Sequence, residues 1–221
     1  MALLHQATIT PTKDHIVGPW LETQPWWDGV AERGPVGTFR FDDPAGEVGM
    51  ECFLFGSPSD STLFVPVTYR GAPLVGAEAQ LLGIMEHSVL GNRWVYDGCG
   101  DPVFVATLVE LIRSAGTNAE LEVQMSNGSV QSREPTSRVR GSGAEEIAVP
   151  SPDDLPTTRD DESTTVITAG GLTVAIARRV GAELPDGPTL TATFEGGDGL
   201  VLATVVQEST NKTVTNGAGQ R

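Results

Sequence analysis

The first half of the chain alternates short apolar runs with turn-forming residues, which is the pattern of an antiparallel sheet. Segments 38–41, 47–55 and 62–69 are predicted strands, because clusters rich in Asp, Pro, Gly and Ser separate them. Residues 79–87 and 92–96 predict a further pair around a Leu-Gly-Asn turn. We therefore expect a sheet of about five or six strands, with at least one face that must be covered.

Two helical patterns can supply that cover. Thr12 can cap a first helix, although Pro19 lies inside it and removes a backbone donor. Apolar residues recur in it at helical spacing: Ile16, Val17, Trp20 and Leu21. A second helix is predicted over 101–114, where Asp101 is a good cap and Pro102 suits the first helical position.

The remainder of the chain divides into a polar segment, two hairpins and a tail. Residues 126–162 lack a sustained apolar period, which predicts a disordered, flexible acidic linker after a first domain of residues 1–125. Two β-hairpins follow in 163–206, and we expect them to dock on the first domain because isolated hairpins are marginal in water. The tail, 207–221, is predicted to be disordered. The predicted fold class is α+β.

Charge and composition exclude several classes of partner. The net charge of −15 disfavours nucleic acid and anionic membrane surfaces. No run approaches the roughly 20 apolar residues of a membrane span, and the N-terminal residues do not have the pattern of a secretory signal. The two cysteines, Cys52 and Cys99, are far apart and fit a reducing compartment. We expect a soluble cytoplasmic protein.

Two motifs carry a resemblance to a known family. They are Thr-Tyr-Arg-Gly-Ala-Pro-Leu at 68–74 and Gly-Asn-Arg-Trp-Val-Tyr-Asp at 91–97, preceded by Pro-Trp-Trp at 25–27. Over about the first 125 residues the chain resembles the N-terminal cap of maltokinases. It is similar to stand-alone cap-like proteins of actinobacteria, often called 1,4-α-glucan branching proteins. The resemblance implies a related fold and a setting in glycogen, maltose or trehalose metabolism.

The resemblance does not extend to a catalytic apparatus. Phosphoryl transfer needs a nucleotide-clamping lysine, a catalytic aspartate and acidic metal ligands. The lysines, Lys13 and Lys212, lie outside the C-terminal hairpins, which offer Arg178 and Arg179 where a lysine is needed. A branching enzyme requires paired carboxylates, typically in a barrel of about 200 to 250 residues or more, and the chain lacks the alternating strand–helix repeat. We predict no catalytic residue and no cofactor.

The best polar cluster is expected at the tip of the hairpin over 79–96. It comprises Glu86, His87, Asn92 and Arg93. A loop cluster on a rigid sheet is typical of a recognition surface, although a structural role is the alternative. Trp94 is expected on the opposite strand face from Arg93, in the core.

Aromatic and thiol groups give further candidates. Trp26 and Trp27, with Trp20 and Trp94, can stack on the flat face of a sugar ring, and the alternative is that they are core residues. Cys99 precedes a helix cap and is either a reactive thiol or an inert small residue. Three scattered histidines predict no metal site.

Three functional hypotheses follow. The first is a non-catalytic interaction or regulatory protein that engages an enzyme of α-glucan or maltose metabolism as its partner. The second is a binding module for a maltose-like or amino sugar, and the third is an enzyme of unrecognised type.

Overall fold

The computed structural model describes residues 2–5, 7–29, 34–56, 61–125, 128–195 and 197–207. These residues form two helices and fifteen strands. The helices are α1 (Lys13–Leu21) and α2 (Pro102–Arg113). The strands are β1 (Ala2–His5), β2 (Ile9–Thr10), β3 (Pro35–Phe41), β4 (Gly49–Gly56), β5 (Thr62–Arg70), β6 (Leu81–His87), β7 (Gly91–Asp97), β8 (Leu121–Gln124), β9 (Val130–Arg133), β10 (Ser137–Gly141), β11 (Thr157–Asp160), β12 (Thr164–Ala169), β13 (Leu172–Ala177), β14 (Thr189–Phe194) and β15 (Gly197–Gln207).

The first sheet contains six antiparallel strands in the order β2, β6, β7, β5, β4 and β3. The predicted α+β class and the predicted number of strands are both confirmed. Asp43 sets the turn between β3 and β4, because its carboxylate accepts the backbone N–H groups of Ala45, Glu47 and Val48 at 2.8 to 2.9 Å.

Helix α1 covers one face of the first sheet. Ile16 and Leu21 of the helix pack there with strand residues such as Val65 and Val95, and all four are at most 6% exposed. Gly83 allows the close approach, since a Cβ atom at that position would lie 3.2 Å from Ile16 Cγ2. The predicted helix cap is different in detail: the Thr12 hydroxyl bonds His15 Nδ1 at 2.7 Å and makes no capping hydrogen bond.

Helix α2 and the second sheet cover the other face, and their apolar residues form one continuous core with it. Asp101 is the predicted cap of α2, and its Oδ1 accepts the N–H of Val103 at 3.0 Å. The same carboxylate takes two hydrogen bonds from the guanidinium of Arg70 at 2.7 Å. Asp101 therefore connects the start of α2 to the C-terminal end of β5.

The second sheet also has six strands, in the order β10, β14, β15, β13, β12 and β11. The two predicted hairpins are its central part, β12–β13 and β14–β15. A third, smaller sheet contains β1, β8 and β9, with β1 parallel to β8.

The predicted disordered linker over 126–162 is wrong for its described residues. Strands β10 and β11 form the two edges of the second sheet, and β9 belongs to the small sheet. Isolated apolar side chains anchor this segment: Val139 is 2% and Ile147 is 3% exposed. An edge strand of four or five residues can be anchored by only one or two buried side chains. Such a strand therefore shows no apolar period in the sequence. The predicted disordered tail lies outside the described residues except for its first residue, 207, which ends β15.

One buried ion pair joins the two large sheets. Arg178 follows β13 and is fully buried, and its Nη2 donates to Asp97 at the end of β7. Its Nε donates to the hydroxyl of Thr165 at 2.7 Å, and its guanidinium lies 4.8 Å from the ring centre of Trp26. Burial is the largest single influence and opposes the charge, but the surrounding groups, of which Asp97 is the strongest, together raise the pKa of Arg178 above its ordinary value. The guanidinium is therefore charged in the core.

The described residues contain no helix that is long and apolar enough to cross a membrane.

Candidate functional site

A cavity of about 430 Å³ opens between helix α1, the β3–β4 turn and the β6–β7 hairpin. Its volume lies within the range of small-molecule sites. Apolar groups form part of its wall, including Ile9, Met85 and Leu90. The rest of the wall is charged or polar, and we call this cavity the Lys13 pocket after the residue at its helical side.

Glu51 is a buried carboxylate that connects three residues of the polar wall, although it does not line the cavity itself. Its Oε2 accepts hydrogen bonds from Lys13 Nζ and from the Tyr69 hydroxyl at 2.8 Å, and it forms an ion pair with Arg40 Nη2 at 3.1 Å. Burial opposes ionisation, but Arg40 and Lys13 outweigh it and lower the pKa of Glu51. Glu51 is therefore an anion that holds two cations and a phenol at one point.

The other groups of this network are tuned by burial. Burial lowers the pKa of Lys13, although Glu51 partly compensates by favouring the charged form. The ammonium also lies 5.4 Å from the ring centre of Tyr69, within the range of a cation–π contact. Burial raises the pKa of the Tyr69 phenol well above its ordinary value, so it remains a neutral hydrogen-bond donor.

Two of the predicted site residues line this pocket. Arg93 lies on β7, opposite Met85 of β6, and its Nε is buried without a hydrogen-bond partner among the described residues. His87 Nδ1 accepts the backbone N–H of Leu90 at 3.1 Å, which shapes the hairpin turn at the pocket rim. A ring nitrogen that accepts is unprotonated, so this contact assigns the His87 tautomer.

The other two residues of the predicted cluster lie on the opposite face. Glu86 pairs with Asn92, and Ile84 pairs with Trp94, so these four side chains share the face that points away from the pocket. The predicted four-residue cluster is therefore divided by strand alternation. Trp94 is half-buried and paired with an Ile84 that is 47% exposed, so its predicted core position is also wrong.

The tryptophans do not form an exposed platform. Trp26 is fully buried, packs edge-to-face on Trp20 at 5.6 Å and lies under Arg178. Trp27 is half-buried, and its carbonyl oxygen accepts from Arg179 Nη2 at 3.4 Å. The platform interpretation therefore fails for Trp26, whose ring face is not accessible, and the alternative core role applies to it.

Neither cysteine is placed for chemistry. Cys52 and Cys99 are both fully buried, and burial raises the pKa of each thiol well above its ordinary value. The inert alternative for Cys99 is the one that the geometry supports. Among the residues that the structure describes, no group of three or more His, Cys, Asp or Glu side chains could hold a metal ion.

The Arg40–Glu51 pair is a signal that sequence reasoning missed. Each is the single charged residue within an apolar strand segment, Phe39-Arg40-Phe41 and Met50-Glu51-Cys52. The register of the β3–β4 hairpin places these two residues directly opposite each other. Counting outward from the centre of the turn, between Ala45 and Gly46, would have found the pair. Lys13 gave no such signal, because it belongs to helix α1, which is distant in sequence from Glu51.

These observations define an α+β domain with a polar pocket on one face of its first sheet. Residues 20–101 match the model of the maltokinase N-terminal cap domain. This part of the chain, from the end of α1 to the cap of α2, is therefore similar to a maltokinase cap domain, and the resemblance seen in the sequence is confirmed for these residues. A search of curated proteins finds no match to the chain.

Proposed function

We propose that this chain is a non-catalytic regulatory binding module of maltose or α-glucan metabolism, and that its Lys13 pocket binds a sugar or a sugar derivative. The match to the maltokinase cap domain supports the metabolic setting. The observation that carries the binding role is the pocket itself. It combines a cavity of about 430 Å³ with apolar walls and a few convergent polar groups, the usual composition of a small-molecule site.

The wall chemistry fits a carbohydrate better than a purely apolar ligand. Sugars present flat apolar faces and a rim of hydroxyl groups, and they need both ring contacts and charged hydrogen-bond partners. Tyr69 and Met85 provide apolar surface, while Lys13, Arg40 and Arg93 provide donors. Because Glu51 forms ion pairs with Lys13 and Arg40, these two donors are held in place before any ligand arrives.

Calorimetric titration with glucose, maltose, maltotriose, glucosamine and ATP tests this function. A blocking variant, Leu90→Trp, enlarges a side chain that lines the pocket rim. Its matched control is Val89→Trp, one residue away in the same turn, where the side chain is 56% exposed and does not line the pocket. We expect binding of at least one sugar to wild type and to the control, and a clear loss in Leu90→Trp.

Two results would contradict the proposal. The first is a wild-type chain that binds neither a sugar nor a sugar derivative, and the second is a Leu90→Trp variant that binds as tightly as Val89→Trp.

A second candidate is docking on a protein partner, such as a sugar kinase of the same metabolism, through the outer face of the β6–β7 hairpin. The specific observation is that Ile84 is 47% exposed beside half-buried Trp94, with Glu86 and Asn92 at the rim of the same face. An apolar centre with a polar rim is the usual anatomy of a protein interface.

Pull-down of maltokinase from the native cell extract tests this second function. Ile84→Asp should abolish capture, because it places a charge at the centre of the proposed interface. Val130→Asp, on strand β9, is a control at a similarly exposed position, 50% exposed. Equal capture by the two variants, or no capture by wild type, would exclude this surface as the docking site.

A further inference from the structure

Three cations line the Lys13 pocket: Lys13, Arg40 and Arg93. Lys13 and Arg40 are both paired with Glu51, and their side chains are 29% and 14% exposed. Arg93 completes the wall, and within the described part of the chain no carboxylate forms an ion pair with it. The buried part of the pocket therefore carries an excess of positive charge, although the chain as a whole has a net charge of −15.

The acidic residues near the pocket do not cancel this excess. Asp43 directs its carboxylate to the backbone N–H groups of its own turn at 2.8 to 2.9 Å. Asp42 and Glu47 line the pocket at exposed positions, where solvent weakens their interaction with buried charges. Lys13 and Arg40 are the more buried groups, so an anionic group that reaches the inner part of the cavity lies close to cations that are weakly screened by solvent.

Arg93 has hydrogen-bonding capacity that the fold does not use. Its Nε is buried and has no acceptor among the described residues, although an unpaired buried donor costs about 1 to 3 kcal/mol. The guanidinium lies close to Gly71, where a Cβ atom would be only 2.8 Å from Nη1. An oxygen acceptor on a ligand would satisfy this donor.

The electrostatics of Lys13 point to the same class of ligand. Burial is the main cause that lowers the pKa of the Lys13 ammonium. Repulsion from Arg40 and Arg133 lowers it further, while Glu51 acts in the opposite direction. An added negative charge in the pocket would relieve that repulsion. Lys13 and Arg40 would both be stabilised by an anion in the pocket, and Arg93 lines the same cavity.

We propose that the ligand of the Lys13 pocket is an anionic monosaccharide derivative, with its phosphate or carboxylate group bound to Arg93 and Lys13 and its ring against Tyr69 and Met85. This inference rests on the proposed binding function and gives its ligand class. A cavity of about 430 Å³ holds a molecule of that size. A guanidinium suits the planar, multi-oxygen geometry of both anionic groups.

The test is calorimetry with matched probes on the full chain. Glucose 6-phosphate and gluconate carry the two anionic groups, glucose is their neutral counterpart, and inorganic phosphate lacks the ring. We expect at least one of the two sugar anions to bind at least about tenfold more tightly than glucose and inorganic phosphate, since a charged hydrogen bond contributes a factor of this order. The preferred anion identifies which of the two groups the pocket takes.

Arg93→Gln is the decisive variant, because it removes the charge at a nitrogen that bonds no protein group. We expect it to weaken sugar-anion binding about tenfold or more, with a smaller effect on glucose binding, and to leave the melting temperature nearly unchanged. The control is Arg138→Gln, which removes the same charge from an arginine that is 70% exposed and outside the pocket. That variant should bind like wild type.

The outcomes separate this inference from the proposed function. Binding of glucose or maltose as tightly as either sugar anion, with loss in Leu90→Trp, would keep the proposed function and overturn the anionic ligand. Inorganic phosphate binding as tightly as the sugar anions would also overturn it, since the ring would contribute nothing. Unchanged affinity of the sugar anions in Arg93→Gln would overturn the assigned contact. Absence of binding by every probe would overturn both proposals.

Discussion

Replacing Asp97 by asparagine tests whether the buried ion pair holds the two large sheets together. The Asp97→Asn substitution keeps the shape of the side chain and the oxygen that accepts the N–H of Cys99 at 3.2 Å. The negative charge would be lost, and Arg178, which is fully buried, would remain as a cation in the core without its counter-charge.

The expected cost follows from that burial. Removing one partner of a buried ion pair costs about 3 to 5 kcal/mol, because the remaining charge is not solvated. The new amide retains one capping contact, and the Thr165 hydroxyl still accepts from Arg178, so we expect the lower end, about 3 kcal/mol. For a chain of this size the melting temperature should fall by about 6 to 12 °C.

Urea unfolding followed by tryptophan fluorescence measures this cost. Both large sheets contribute to one continuous core, so we expect a single transition whose midpoint falls while its slope is unchanged. Glu134→Gln is the matched control, because Glu134 and Arg138 form an ion pair with side chains that are 80% and 70% exposed. Its effect should stay below about 1 kcal/mol.

A double variant shows whether the cost arises from the unpaired charge. Asp97→Asn combined with Arg178→Met leaves no charge in the core, so it should cost at least about 1 kcal/mol less than the sum of the two single variants. Strict additivity, or a cost of Asp97→Asn no larger than that of Glu134→Gln, would refute the argument that this pair joins the sheets.

Three other predictions concern separate parts of the fold. The pKa of Glu51 is lowered in the folded chain, so its ionised carboxylate stabilises the fold at pH values above its ordinary pKa of 4.5, and this stabilisation is lost as the pH falls through the folded-state pKa. Thermal melts should therefore show that the stability difference between wild type and Glu51→Gln shrinks in acid. Gly141→Ala places a Cβ atom 2.0 Å from a carbonyl oxygen of α2 and should cost about 2 to 4 kcal/mol in urea unfolding, whereas Gly49→Ala makes only ordinary contacts and should cost less than about 1 kcal/mol. Cys52 and Cys99 are fully buried, so thiol reagents should label neither until urea unfolds the chain, and rapid labelling of native protein would contradict this.

Local signals were sufficient for most of the first sheet and for both helices. The turn clusters separated the strands, and Asp101 with Pro102 marked the start of α2 at its observed position. The hairpins β12–β13 and β14–β15 were visible because each joins two apolar runs through glycines. Such features depend on neighbours in sequence, and a single chain displays them.

The errors came from contacts between residues distant in sequence. Strand β10 is an edge strand held by Val139 and by pairing with β14, and neither is visible in a Ser- and Arg-rich segment. The error in the predicted hairpin cluster has a local cause. Strand alternation alone separates His87 and Arg93 from Glu86 and Asn92 once the register is fixed. The pocket needed Lys13, which only the packing of α1 brings to Glu51.

The shared core has a practical consequence for the region that matches the maltokinase cap domain. That match ends at residue 101, yet Phe39 and Phe64 of its sheet are fully buried against α2 and the second sheet. A shortened protein that stopped there would turn an apolar sheet face toward water and leave Asp97 without Arg178. Such a fragment should aggregate on expression. The cap-like region of this chain therefore has to be expressed together with the strands up to β15.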